Sequence, residues 1–191
     1  MVERIQQDTR TGRDPRRRKK SPPPISLGDF ERAAARHLDR YPTTVGGLRT
    51  VLERRAQRSQ TYHGGEASDA TPIIEAVLAR CLEHGLLDDR AYGHALLRRM
   101  RKRGSSLPRV RSQLLAKGVP ADLCEELLQE ISGLESEQVA AQVYARRRGL
   151  GPHRERPELR SEYRERDLAK LGRAGFPSEI AVTVIDAEET S

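Results

Sequence analysis

Tryptophan is absent from this chain and the other aromatics are sparse, with two Phe and five Tyr among 191 residues. A single-strand binder that stacks bases on a platform of rings needs more than that, so base reading by stacking is disfavoured. Two cysteines, Cys81 and Cys124, cannot build a disulfide framework, and no apolar leader opens the chain, so a reducing cytoplasm is the expected setting. No run approaches the ~20 apolar residues of a bilayer span, which excludes a membrane helix as an expectation. Also missing are a P-loop, a G-x-S-x-G elbow and an H-E-x-x-H pair. Nothing therefore points to an enzyme, and no cofactor is expected. Cys81-Leu82-Glu83-His84 has a metal-like spacing but lacks a second ligand pair, so Cys81 reads as core. Asp88-Asp89 could suggest paired catalytic carboxylates. Its place directly after Gly85-Leu86-Leu87 explains it as helix capping.

What the chain does have is an internal echo. Gln113 to Leu128 reads QLLAKGVPADLCEELL, and about fifty-seven residues later Lys170 to Ile185 reads KLGRAGFPSEIAVTVI. Leu114 matches Leu171, Gly118 matches Gly175, Pro120 matches Pro177, and Val119 aligns with Phe176. Apolar, turn and acidic positions recur at one offset, which marks repeated helical modules and a binding surface rather than a pocket enzyme. Hydrophobic residues are 36% of the chain against 33% charged, thin for one compact core. Modules of roughly fifty residues bury too little alone and must lean on one another.

The helical period runs from Gly28 onward, and no window alternates strongly enough for a strand, so the fold is expected to be all-α. A first helix turns Ala34, His37, Leu38 and Tyr41 inward and stops at Pro42. Thr43 or Thr44 caps a second, with Val45, Leu48, Val51 and Leu52 inward and Gly46-Gly47 weakening its start. Gln57 to Ala70 reads as a loop, and Thr71-Pro72 restarts a helix that buries Ile74, Val77, Leu78, Cys81 and Leu82. Gly85 ends it, with Leu86 as the apolar contact of a Schellman stop. Asp88 or Asp89 caps the next helix, which turns Tyr92, Leu96 and Met100 inward and breaks at Gly104. Ser105 or Ser106 opens another, burying Leu107, Val110, Leu114 and Leu115, and Pro120 starts the one after. The third module begins with a helix over Gln138 to Arg148, its core Val139, Ala140 and Val143. The longer stretch Gly149 to Pro157 leads into a charged helix from about Glu158 to Arg173 and a last one ending near Ala187. The expected division is a disordered basic arm at 1–26, then three-helix repeats at 27–87, 88–133 and 134–191, together an elongated curved array.

Charge is placed unevenly. The net charge is +7, and residues 1–24 alone contribute +5 through Arg4, Arg10, Arg13, Arg16, Arg17, Arg18, Lys19 and Lys20 against three acids. Within the body, Arg98 to Lys117 carries eight basic residues and no acid, and Asp122 to Glu137 then carries six acids and no base. Arginine at a helix end complements the dipole, typically for under ~1 kcal/mol each. That accounts for one or two of these residues, not for eight. The run points to an electropositive contact face for an anionic partner, most simply DNA phosphates. A helix-turn-helix reader over Asp89 to Lys117 is the alternative. The start of its second helix, Ser105, Ser106 and Leu107, is a weak base-reading set apart from Arg109.

Taken together, Gly85-Leu86-Leu87-Asp88-Asp89, Tyr92, the basic Arg98 to Arg103 run, Gly104 and Gln113-Leu114-Leu115-Ala116-Lys117-Gly118-Val119 resemble the core of RecX regulatory proteins. The resemblance covers about Leu27 to Ala187 and is strongest in the middle module. Gln57 to Ala70 is longer than the short turn of many members, and the arm at 1–26 lies outside the family pattern. The resemblance implies three tandem three-helix units that bind RecA and lie in the groove of its filament on single-stranded DNA. It implies inhibition of RecA ATPase, strand-exchange and co-protease activity, with consequences for recombination, repair and the SOS response, and it implies DNA contact. The site residues expected on this reading are Arg98, Arg99, Arg101, Lys102, Arg103, Arg109, Arg111 and Lys117, supported by Arg146, Arg147 and Arg148. The lack of a large apolar surface stripe favours a monomer.

Overall fold

The computed structural model describes residues 21–64 and 70–188. Most of the basic arm and residues 65–69 of the expected loop lie outside these. Among the described residues the chain is all-α, with nine helices and no strand. They are α1 (Leu27–Leu38), α2 (Val45–His63), α3 (Thr71–Glu83), α4 (Asp89–Arg101), α5 (Leu107–Ala116), α6 (Ala121–Gln129), α7 (Leu134–Arg148), α8 (Arg160–Arg173) and α9 (Ser178–Ile185).

Buried side chains gather into three clusters, each drawn from three consecutive helices, an arrangement compatible with tandem repeats. Phe30, Leu48, Leu52, Val77 and Leu78 close α1–α3, which we call the first unit. Leu96, Leu97, Val110, Leu114 and Leu127 close α4–α6, the second. Ala140, Ala145, Leu150, Leu171, Phe176 and Val184 close α7–α9, the third. Each fully buried Leu, Val or Phe contributes roughly 1.5–3 kcal/mol, so no cluster is large and the contacts between units matter.

The echoed segments fold alike. Gly118 and Gly175 both take positive φ, 81° and 91°, and Val119 and Phe176 behind them are buried. Val119 N–H donates to the Leu114 carbonyl and Phe176 N–H to the Leu171 carbonyl, each at 3.1 Å. This is the Schellman arrangement that only a left-handed residue completes, and glycine takes that conformation without a Cβ penalty. Pro120 and Pro177 then start α6 and α9.

Several expectations need correcting. Residues 57–63 are not loop but the last turns of α2, whose C-terminal part buries Ser59 and Gln60. Ser59 hydroxyl donates to the Pro23 carbonyl at 2.9 Å, so the chain before α1 occupies the face that apolar residues fill elsewhere. Tyr41, Leu82, Leu115 and Val139 are not core; all are exposed, and Leu86, expected as the apolar contact of the stop at Gly85, is exposed as well. Phe30 is the buried aromatic of α1, Leu87 is buried and Leu86 is not, and Ala140 and Ala141 bury where Val139 does not. The small alanines let α7 approach α9 closely, and the adjacent valine faces water.

Residues 149–157 are pinned rather than loose. Asp167 on α8 is fully buried and accepts from Gly151 N–H at 3.1 Å, Arg154 at 2.6 Å and Lys170 at 3.3 Å. Arg154 also stacks its guanidinium over the Tyr163 ring at 4.4 Å. Burial pushes the Asp167 carboxyl up, but these donors outweigh it and hold it below the ordinary carboxylate range.

Candidate functional site

The units meet by one repeated joint, made where the second helix of a unit begins. Thr44 precedes α2, and its hydroxyl donates to the Lys117 carbonyl at the end of α5, 2.6 Å away. Ser106 precedes α5, and its hydroxyl donates to the Ala174 carbonyl at the end of α8, again at 2.6 Å. In both, the acceptor is the residue just before the left-handed glycine. An acid on the first helix of the following unit then caps the free N–H of the helix being docked. Asp89 accepts from Val45 N–H at 2.8 Å, and Glu137 accepts from Leu107 N–H at 3.1 Å. Asp88 caps its own helix through Ala91 N–H at 2.8 Å. The Asp88-Asp89 pair therefore serves two helix starts in two units.

The first joint is closed by glycine. A Cβ on Gly46 would lie 2.9 Å from the Gly118 carbonyl oxygen, and one on Gly118 2.9 Å from Gly47 N. The pair expected to weaken α2 is what lets it seat on the next unit. Burial pushes the Asp89 carboxyl above the ordinary carboxylate range, against the pull of the Val45 N–H.

Charge closes the second joint. Arg101, its side chain 12% exposed, pairs with Glu137, 6% exposed, at 2.6 Å. The same guanidinium donates to the Ser105 carbonyl and to both oxygens of Ser136. Gly104, at φ 75°, sits directly on α7, where a Cβ would come 2.5 Å from Tyr144 N.

Above that joint the arginines converge. Arg103 and Arg109 from the second unit and Tyr144, Arg147 and Arg148 from the third line a cleft of about 320 Å³. Arg147 donates to the Arg103 carbonyl at 3.0 Å, and the Arg148 guanidinium lies 5.6 Å from the Tyr144 ring centre. Among the described residues, none of these four guanidiniums has a carboxylate within 4.0 Å, whereas Arg49, Arg80, Arg90, Arg111 and Arg164 elsewhere all do.

The residues expected to form the site thus divide. Arg103, Arg109, Arg147 and Arg148 share the cleft. Arg98, Lys102 and Arg146 are exposed beyond it. Arg99 borders a separate groove with Tyr41, Pro42, Leu86 and Tyr92. Lys117 is exposed at the first joint. Arg101 is turned inward and serves the second joint, and Arg111 pairs with Glu125 at 2.7 Å. Sequence reasoning missed Thr44, Asp89, Ser106 and Glu137 as joint residues. Their signal was a hydroxyl before each docked helix and an acid early in the next unit. The start of α5 is covered as well: Ser106 is buried and Leu107 N–H is capped from the third unit.

Cys81 and Cys124 are both free and buried, and burial pushes both thiols up. Among the described residues no three His, Cys, Asp or Glu side chains group as metal ligands, and no helix is long and apolar enough to cross a membrane.

The chain is similar to regulatory protein RecX of Myxococcus xanthus, with 39% identity over 180 residues that cover 94% of each chain. To regulatory protein RecX of Agrobacterium fabrum it is 33% identical over 99 residues, 52% of this chain and 51% of that one. To regulatory protein RecX of Geobacillus thermodenitrificans it is 27% identical over 132 residues, 69% of this chain and 48% of the other. No family model matches the chain, and no solved structure does.

Proposed function

The chain belongs to the RecX family of regulatory proteins, and on that premise we propose that it regulates RecA. It binds RecA and the RecA filament on single-stranded DNA, and it lowers ATP hydrolysis, strand exchange and co-protease activity. It thereby modulates recombination, repair and the SOS response. It acts in the cytoplasm as a monomer, as an elongated curved array, and without chemistry of its own. The contact is made by Arg98, Arg99, Lys102, Arg103 and Arg109, with Arg146, Arg147 and Arg148 beside them.

The observation that carries this reading is the set of four arginines that share one cleft at the second joint, with no carboxylate within 4.0 Å among the described residues. An array of docked units presenting a basic cleft suits a helical, DNA-bearing partner better than a single duplex groove. The rival reading, a groove-reading helix-turn-helix, needs the start of α5 free for bases. That start is engaged by Ala174 and Glu137.

The test is ATP hydrolysis by the cognate RecA on single-stranded DNA, with and without the protein. A stoichiometric dose should suppress hydrolysis, and reversing Arg99, Lys102 and Arg109 to Glu should remove most of that effect while helicity persists. No effect of the wild-type protein would overturn the reading; full inhibition by the reversed variant would overturn the site.

A further inference from the structure

We propose that the apolar groove running along α1 and on to α4 is a docking site for an amphipathic helix of a partner protein. The proposal rests on the regulatory reading above, which names RecA as the partner, and adds the surface that receives it. Ala34, Ala35 and Leu38 share one face of α1 and line the groove. Two pockets, of about 370 and 440 Å³, lie along it and have Leu38 and Leu86 in common. The far wall is α3 in the first pocket and α4 in the second. The span from Glu31 to Pro42, at about 1.5 Å per residue, is roughly 16 Å, or about three turns of a docked helix. Side chains wall it, not the glycine backbones that close the first joint.

The first support is apolar surface held rigid in water. Tyr41 and Leu86 line the groove while 59% and 57% exposed. Both are anchored through their backbones. Leu86 N–H donates to the Cys81 carbonyl at 2.9 Å in the stop after α3, and Tyr41 N–H donates to the His37 carbonyl at 2.9 Å. The Tyr41 ring also rests 5.5 Å from the His37 ring. The turn after α3 fixes Leu86, yet its side chain stands in water instead of folding back on its own helix. Apolar groups fixed in place lose little freedom when covered, so they contribute more to a contact than the same groups on a loose chain.

The walls select the occupant. Helices α1, α3 and α4 bond their backbone groups internally, so an extended segment laid between them would bury N–H and C=O groups unpaired. A helix satisfies those groups itself and offers apolar side chains at i, i+3, i+4 and i+7, the spacing that two adjoining pockets require. A second copy of this chain does not supply one. Among the described residues, the exposed large apolar side chains of its helices stand singly: Tyr62 on α2, Leu82 on α3, Leu115 on α5, Val139 on α7 and Val182 on α9. Nor is the groove a phosphate track, because Arg80 is paired with Glu31 and Arg99 is one cation among apolar walls. Charge sets the direction of docking. Asp88 is occupied in capping α4, whereas Glu83 lines the first pocket and Arg99 the second. The entering helix therefore puts its positive N-terminal end by Glu83 and its negative C-terminal end, with a carboxylate in its last turn, by Arg99.

Biolayer interferometry against immobilised cognate RecA, without DNA, tests the groove through two independent variants, Y41S and L86S. The control is V182S, which trims a side chain 41% exposed on α9 of the third unit. Each groove variant should bind RecA roughly tenfold more weakly, the scale of an interface anchor, while the control stays within about twofold of wild type. Equal losses in groove and control variants, or no loss in the groove variants, would overturn the site. R99E and E83K should each weaken binding at low salt, and no effect of either would overturn the direction of docking. Anisotropy of a labelled oligo-dT should give one affinity for wild type, Y41S and L86S. A loss of dT that matches the loss of RecA would make the groove a nucleic-acid site and overturn the protein assignment. Sedimentation velocity covers a further occupant: self-association of the wild type that L86S removes would make the groove an interface between copies and overturn the proposal. Circular dichroism checks folding. RecA ATPase separates this proposal from the one before it. A wild type that inhibits hydrolysis, with groove variants that bind RecA as well as it does, leaves regulation standing and overturns the groove. A wild type that neither binds RecA nor inhibits it overturns both.

Discussion

Where α2 meets the second unit, the chain closes the gap with three glycine backbones and one half-buried acid; where α5 meets the third, it uses one glycine, Gly104, with Arg101, Glu137 and Ser136. The hydroxyl-to-carbonyl bond is common to both, at 2.6 Å in each. The difference lies in what surrounds it. Glycine contact brings backbones together and leaves little room for side chains. An ion pair beneath the joint holds the units while leaving a cleft above, and that cleft is where the unpaired arginines stand. The first joint is built to be shut, the second to be shut below and open above.

Removing one partner of the buried pair should separate the two joints most sharply. Arg101→Ala leaves Glu137 buried without its counter-charge, an expected loss of about 3–5 kcal/mol in urea unfolding. Asp89→Asn at the first joint keeps an acceptor for Val45 N–H and removes a charge that burial disfavours, so it should be neutral or slightly stabilising. If the two substitutions cost the same, the joints do not differ as described.

Glycine substitutions come next. Gly118→Ala and Gly104→Ala each force a left-handed alanine, roughly 1–3 kcal/mol, and drive a Cβ into neighbouring backbone. Gly85→Ala carries the same dihedral strain, φ 65°, into open space. Thermal melts should place Gly85→Ala well above the other two, and equal melting temperatures would argue against close backbone approach at the joints.

Smaller still is the loss of the shared hydroxyl. Ser106→Ala strands the Ala174 carbonyl, for about 1–3 kcal/mol. Thr44→Val should cost more than Ser106→Ala, because Thr44 also accepts from Gly47 N–H at 2.8 Å while Ser106 makes no cap bond. Chemical denaturation of the two variants side by side tests the order.

The smallest effect is on pH. Asp89 has a raised carboxyl, so folding disfavours its ionised form; that handicap sets in as pH rises through the folded value and is gone below the unfolded one. Any advantage of Asp89→Asn in melting temperature should therefore shrink on acidification. Asp167 is lowered, so its contribution is complete above the unfolded value and lost as pH falls through the folded one. The penalty of Asp167→Asn should persist until the pH drops below the ordinary carboxylate range of about 3.9. Melts of both variants across pH check the opposite signs.

The helices and their turns were legible because they rest on local rules. The Gly118 and Gly175 stops, the Asp88 cap and the Thr44 start are all written within a few residues of where they act. Burial read less well at exposed apolar positions: Leu82 and Leu115 fit the helical period yet face water, because periodicity fixes a face and not its neighbour. The far end of α2 was missed because its buried side chains are polar, Ser59 and Gln60, and part of their cover is the Pro23 backbone. The basic run predicted a charged face, but only contact between the second and third units separates Arg103 and Arg109 from Arg101, which lies within a few residues of both.

The repeated joint is not offered by the third unit. Docking requires a hydroxyl in front of a second helix, and α8 begins instead after Leu159, with no side chain capping it. A head-to-tail contact that could be copied indefinitely would let chains add to one another as an open fibre. Here the coupling between units is present twice, and the start of α8 does not repeat it.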